Sequence, residues 1–116
     1  MAILTEGLHR AEFLLSEGDD PIIYEEVTFA AVASTPLKPG TVVGIVTASG
    51  NYKAYASGAS DGSQNAVGVT LDWVPVNAST QKGVIVTRLA EVNGSLLTGL
   101  DATSKAALAA RNVIAR

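Results

Sequence analysis

Three stretches of the chain hold residue types that could do chemistry. Gly58-Ala59-Ser60-Asp61-Gly62 fits G-x-S-x-G, the elbow that presents a nucleophilic serine in many hydrolases. That elbow works only on a sharp turn from strand into helix, with a histidine base later in the chain. No helical pattern follows Gly62, and His9, the single histidine, lies upstream. Residues 57–65 therefore read as a flexible surface loop of small polar residues. Asp61, Ser63 and Asn65, with Asp72 beyond, place oxygens at alternate positions as a calcium loop does. Ala66 stands where such a loop needs glycine, and Val67 to Leu71 reads as strand. Glu25 and Glu26 are adjacent, so a strand turns them to opposite faces and they cannot act as a pair.

Composition narrows the remaining chemistry. The chain has no cysteine, which removes disulfides, thiolate nucleophiles and thiolate metal sites together. One histidine without cysteine makes a poor transition-metal site, and His9 reads as a surface residue. There is no G-x-G-x-x-G and no phosphate-binding P-loop. The sequons at Asn77 and Asn93 carry meaning only in a secreted protein. Nothing in the residues calls for a cofactor or a metal. Trp73, the only tryptophan, suits either an interface anchor or a lid over the core edge beside Pro75.

The net charge of −3 is unevenly spread: residues 1–26 carry −6, residues 27–81 carry none, and residues 82–116 carry +3. No stretch is basic enough for phosphate-driven binding to nucleic acid. The asymmetry could steer docking on a partner or a neighbouring copy, or it could mark two solvated ends. No apolar run reaches the ~20 residues that span a bilayer, and no signal peptide is visible, so a soluble protein made inside the cell is expected.

The elements that position these residues are mostly strands. At 116 residues a single domain is expected, with a core of small aliphatics, since only 5% of residues are aromatic. Lys38-Pro39-Gly40-Thr41 predicts a type II turn. A strand follows over Thr41 to Ala48, apolar on both faces, with Gly44 marking a bulge or a close backbone approach. Ser49-Gly50-Asn51 turns the chain back into Tyr52 to Ala56. Ile22 to Ala33, with Val27, Phe29 and Ala31 on one side, is a further strand, as are Ala66 to Leu71 and one long strand over Gly83 to Val92. Thr98 to Asn112 predicts a helix capped by Thr98, with Leu100, Ala107 and Leu108 on its buried side. Val113 to Ala115 returns as an edge strand. Residues 1–20 read as an extended arm with apolar anchors, too poor in local burial to order itself and in need of something to lie on.

Taken in order, TEGLHRAEFLLSEG, PLKPGTVVGIVTASGNYKAY, ASDGSQNAVGV and RLAEVNGSLLTGLDATSKAALAARNVIAR resemble the head decoration proteins of tailed phages, of the lambda head protein D type, over nearly the whole chain. The resemblance implies a mainly β fold of the β-clip or small-barrel kind, with one short C-terminal helix, an N-terminal arm over 1–20 and a single decoration domain over 21–116. It implies a structural virion protein with no enzymatic activity, no cofactor and no small-molecule substrate. Such a protein is a homotrimer that binds the major capsid (coat) protein outside the expanded head at three-fold sites and stabilises the shell. The arm contacts it implies fall on Glu6, His9, Phe13, Leu14 and Leu15. A different reading of the hairpin is a small β-clip ligand-binding module, which would place a deep pocket with charged groups near Lys38 and Lys53.

Overall fold

Pro39 and Gly40 set the first well-fixed corner. Gly40 takes a positive φ of 86°, and the Thr41 amide donates to the Lys38 carbonyl at 3.2 Å, closing the expected turn. The buried Thr70 hydroxyl donates to the same carbonyl at 2.8 Å and accepts from the Thr41 amide at 3.0 Å. These bonds tie the start of one strand to the end of another 29 residues away.

The computed structural model describes residue 11, residues 13–17 and residues 23–116. Its strands are β1 (Leu14–Glu17), β2 (Tyr24–Phe29), β3 (Val42–Ile45), β4 (Tyr52–Ala54), β5 (Ala66–Thr70), β6 (Gln81–Val86), β7 (Ala90–Val92) and β8 (Val113–Ala115). One helix, α1 (Ala102–Ala109), lies near the C-terminus. Strands β2-β4-β3-β5-β6 close into a barrel, and β1-β7-β8 form a separate three-stranded sheet. The fold is mainly β with one short helix, as expected.

The strand alternation divides the apolar residues between two cores. Val27, Phe29, Val43 and Ile85 gather in one cluster, joined by Val74. Val42, Val69 and Val86 point the other way, into a cluster with Phe13, Ala90, Val92, Leu108, Val113 and Ala115. Val42 and Val43 are 1% and 0% exposed, so the central strand is covered on both faces, as its apolar run implies. Gly44 has both expected features. The β3–β5 register shifts between Val43 and Gly44, and a Cβ at Gly44 would lie 2.7 Å from the Ser63 carbonyl oxygen.

Four local expectations are corrected. The long strand over Gly83 to Val92 is two strands in two sheets. Leu89 adopts a left-handed φ of 54° between them, and the chain crosses there from barrel to sheet. The helix begins at Ala102 and its cap is Asp101, whose Oδ1 accepts from the Ser104 amide at 2.7 Å, while the Ser104 hydroxyl accepts from the Asp101 amide at 2.8 Å. This reciprocal box satisfies two donors that Thr98 would leave open. Thr98 instead bridges to Thr41 at the barrel rim. Ala31 is exposed, because β2 ends at Phe29. Finally, the polar loop is partly buried: Ser63 is 0% exposed.

Candidate docking surface

The loop that fits G-x-S-x-G is braced by its own acid. Asp61 Oδ1 accepts from the Ser63 hydroxyl at 2.6 Å and the Ser63 amide at 3.0 Å, and Oδ2 pairs with Lys53 Nζ at 3.1 Å. The bonds from Ser63, then from Lys53, hold the Asp61 carboxyl well below the usual carboxylate range. Strand β5 follows the loop, and the Asp61 carboxylate oxygens are turned onto Ser63 and Lys53, not outward as ligands. Among the described residues no group of three His, Cys, Asp or Glu is placed to hold a metal. Glu25 pairs with Arg88 at 3.3 Å. The capping acid of α1, Asp101, also accepts from the Tyr55 hydroxyl at 3.1 Å, and the backbone bond from Ser104 is the main cause of its lowered pKa.

The surface with binding geometry is built around β1. Phe13 is 1% exposed in the core that β1, β7, β8 and α1 share, and its carbonyl accepts from the Asn93 amide at 2.6 Å. That buried ring and this bond fix the entry to β1. The strand then pairs antiparallel with β7 through Leu14–Val92, Ser16–Glu91 and Glu17–Ala90. The register shifts between Leu14 and Ser16, so Leu15 lies at a bulge and is 52% exposed. Strand β1 is the outer strand of its sheet, and among the described residues none pairs with its far side. An outer strand offers unpaired backbone groups to another chain.

Of the five expected contact residues, the structure brings three together here. Leu15 faces outward, Leu14 is half-buried against the core, and Phe13 is inside it. Glu6 and His9 lie outside the described residues, as do all of the first ten positions. Hydrophobic type alone could not separate these roles; only the pairing with β7 decides which side chain turns inward.

A second apolar feature was not legible in the sequence. A cleft of about 190 Å³ opens where β2 and β4 meet, lined by Phe29, Ala30, Ala31, Val32, Leu37, Tyr52, Lys53 and Ala54. Those two strands are parallel and share one register pair, Phe29–Tyr52, so the barrel wall gapes there. The two rings meet edge to face with centroids 6.3 Å apart. The pocket expected of a ligand-binding module near Lys38 and Lys53 takes a different form. Lys38 is not in the lining, and the Lys53 ammonium is paired with Asp61. Beside the cleft, Trp73 is 42% exposed and Val76 is 47% exposed. Trp73 thus stands largely outside the core that Val74 enters.

No helix among the described residues is long and apolar enough to cross a membrane. A family model for the bacteriophage lambda head decoration protein D matches residues 3–114 of the chain. No curated protein and no solved structure gives a significant match. The match spans nearly the whole sequence, and the chain belongs to this family of phage head decoration proteins, structural components of the capsid.

Proposed function

We propose that this phage head decoration protein acts as a homotrimer on the outside of the expanded head, seated at three-fold positions, where it clamps coat subunits together. Residues 1–20 serve as the coat-binding arm and residues 21–116 as the decoration domain. The observation that carries this reading is the outer strand β1, held from inside by Phe13 and presenting Leu15 at 52% exposure. Coat protein adds a strand to the free side of β1, with Leu15 as the apolar anchor and Leu14 packed beneath. Glu6 and His9 extend the contact along the arm. The protein is made in the host cytoplasm and ends on the virion surface. It binds only the expanded lattice, so mass action makes that lattice harder to disrupt.

The test is addition of the protein to expanded, undecorated heads. It should bind at a fixed ratio to coat protein and raise the heat resistance of the shell. Leu15→Asn should weaken binding at least about tenfold, yet leave folding stability within about 0.5 kcal/mol, as for an ordinary surface substitution. Heads that take up none of the protein would remove the assignment, and full binding by Leu15→Asn would move the clamp away from β1.

A further inference from the structure

We infer that the contact between copies is a knob-into-cleft joint, in which Trp73 of one copy enters the apolar cleft at the β2–β4 gap of the next. The inference rests on the trimer proposed above. A closed three-fold ring is head to tail, so each copy must present two different surfaces that fit each other. The described part of the molecule carries such a pair. The knob is Trp73 with Val76, both exposed on the segment after β5. The hole is the cleft between Phe29 and Tyr52.

Size, chemistry and position agree. An enclosed apolar cavity of roughly 150 Å³ takes a benzene ring, and this cleft measures about 190 Å³. Its walls are aromatic and aliphatic, with Lys53 as the one charged residue in the lining. That ammonium is already paired with Asp61 at 3.1 Å, so no unpaired lysine charge is left for an indole to cover. Knob and hole also share an end of the barrel. Leu37 of the cleft is bridged to Val74, Val32 is bridged to Asn77, and Gln81 Nε2 donates to the Pro75 carbonyl at 2.6 Å. Adjacent complementary patches on one edge are what a tight ring about a nearby axis requires. The same end receives the N-terminal segment, because the Ala11 amide donates to the Leu71 carbonyl at 2.9 Å. A joint there would hold three arms at one pole of the ring. Tryptophan is also among the residues enriched at interface hot spots.

Trp73 is the only tryptophan in the chain, so its fluorescence reports the joint directly. In the trimer, emission should be blue-shifted and resist acrylamide, and dilution to monomers should make it red-shifted and quenchable. Trp73→Ala, and Ala31→Phe placed at the exposed rim of the cleft, should each raise the trimer dissociation constant at least tenfold by sedimentation. Both monomers should keep the circular dichroism of the wild type. The chain lacks cysteine, so Asp72→Cys with Ala31→Cys gives a readout that also works on decorated heads. Oxidation should link copy to copy only when both substitutions are present. Trimers that persist in both variants, wild-type trimers in which Trp73 stays quenchable, or decorated heads that yield no link between copies would overturn the joint and leave the trimer standing. Decorated heads bearing only isolated single copies would remove the trimer, and the joint with it.

Discussion

Every strand of the β2–β6 barrel has a neighbour on both sides, whereas the β1-β7-β8 sheet stops at two outer strands. Closure removes edges and with them any template for another chain. The barrel is therefore the part with no edge to offer, and the small sheet is the part that can be extended. The two are joined at few points: Thr41 and Thr98 bridge them at the rim, and the Tyr55 hydroxyl reaches Asp101 at the helix cap. The same apolar cluster then runs beneath both, from Val42, Val69 and Val86 to Val92 and Val113. A decoration protein needs both properties, a body that keeps its shape and an edge that accepts a partner.

The sharpest way to break this contrast is at Gly44. A methyl group there would lie 2.7 Å from the Ser63 carbonyl oxygen and 2.8 Å from both the Asn65 carbonyl oxygen and the Ser63 Cα. These are backbone atoms on the loop that leads into β5, so no side chain can swing aside. Gly44→Ala should cost more than about 4 kcal/mol, at the far end of single-substitution effects. Chemical denaturation should show it, and a loss under about 1 kcal/mol would mean the bulge relaxes freely.

Phe13→Ala should have the next largest effect and act on the sheet. Emptying a buried phenylalanine site costs about 3 kcal/mol or more. Hydrogen exchange should separate the two regions: the amides of β1 and Asn93 should exchange faster, while β3 and β5 stay protected relative to the global stability. Equal loss of protection everywhere would show that barrel and sheet unfold as one unit.

The barrel was largely legible in the residues because its signals are local. Lys38-Pro39-Gly40-Thr41, the double-sided apolar run at Val42 and Val43, and the mid-strand Gly44 each name their own conformation. What was not legible depends on partners far along the chain. The break at Leu89 has no turn residue to announce it; it exists because Val86 pairs in the barrel and Ala90 in the other sheet. The burial of Phe13 beside an exposed Leu15 is set by β7, 73 to 78 residues later, through pairs such as Glu17–Ala90 and Leu14–Val92. The cleft arises from one parallel register pair between β2 and β4, which no alternation pattern encodes. Thr98 lost to Asp101 as the cap because Gly99, at a φ of 87°, lets the chain turn once more before the helix starts.

The smallest expected effect concerns the two acids, one in each region. Asp61 braces the barrel loop, and Asp101 caps α1 over the sheet core. Hydrogen bonds to the ionised form lower both pKa values below the ordinary 3.8. Between the folded and unfolded values the unfolded chain binds more protons, so stability falls as pH falls. The contribution is fully present above about 3.8 and is lost as pH drops through the folded values, so the protein should be level near neutrality and weaken only in strong acid. Asp61→Asn keeps an acceptor for Ser63 but cannot titrate or attract Lys53, and Asp101→Asn keeps a good helix cap. Unfolding midpoints measured from pH 7 down to pH 2 should therefore fall less steeply in Asp61→Asn. In the double variant the slope should be shallower again. If Asp61→Asn flattens the acid limb and Asp101→Asn does not, the barrel loop opens before the helix cap. If only Asp101→Asn does so, the cap over the sheet yields first. A double variant as acid-sensitive as the wild type would show that neither brace sets the acid limit of the fold.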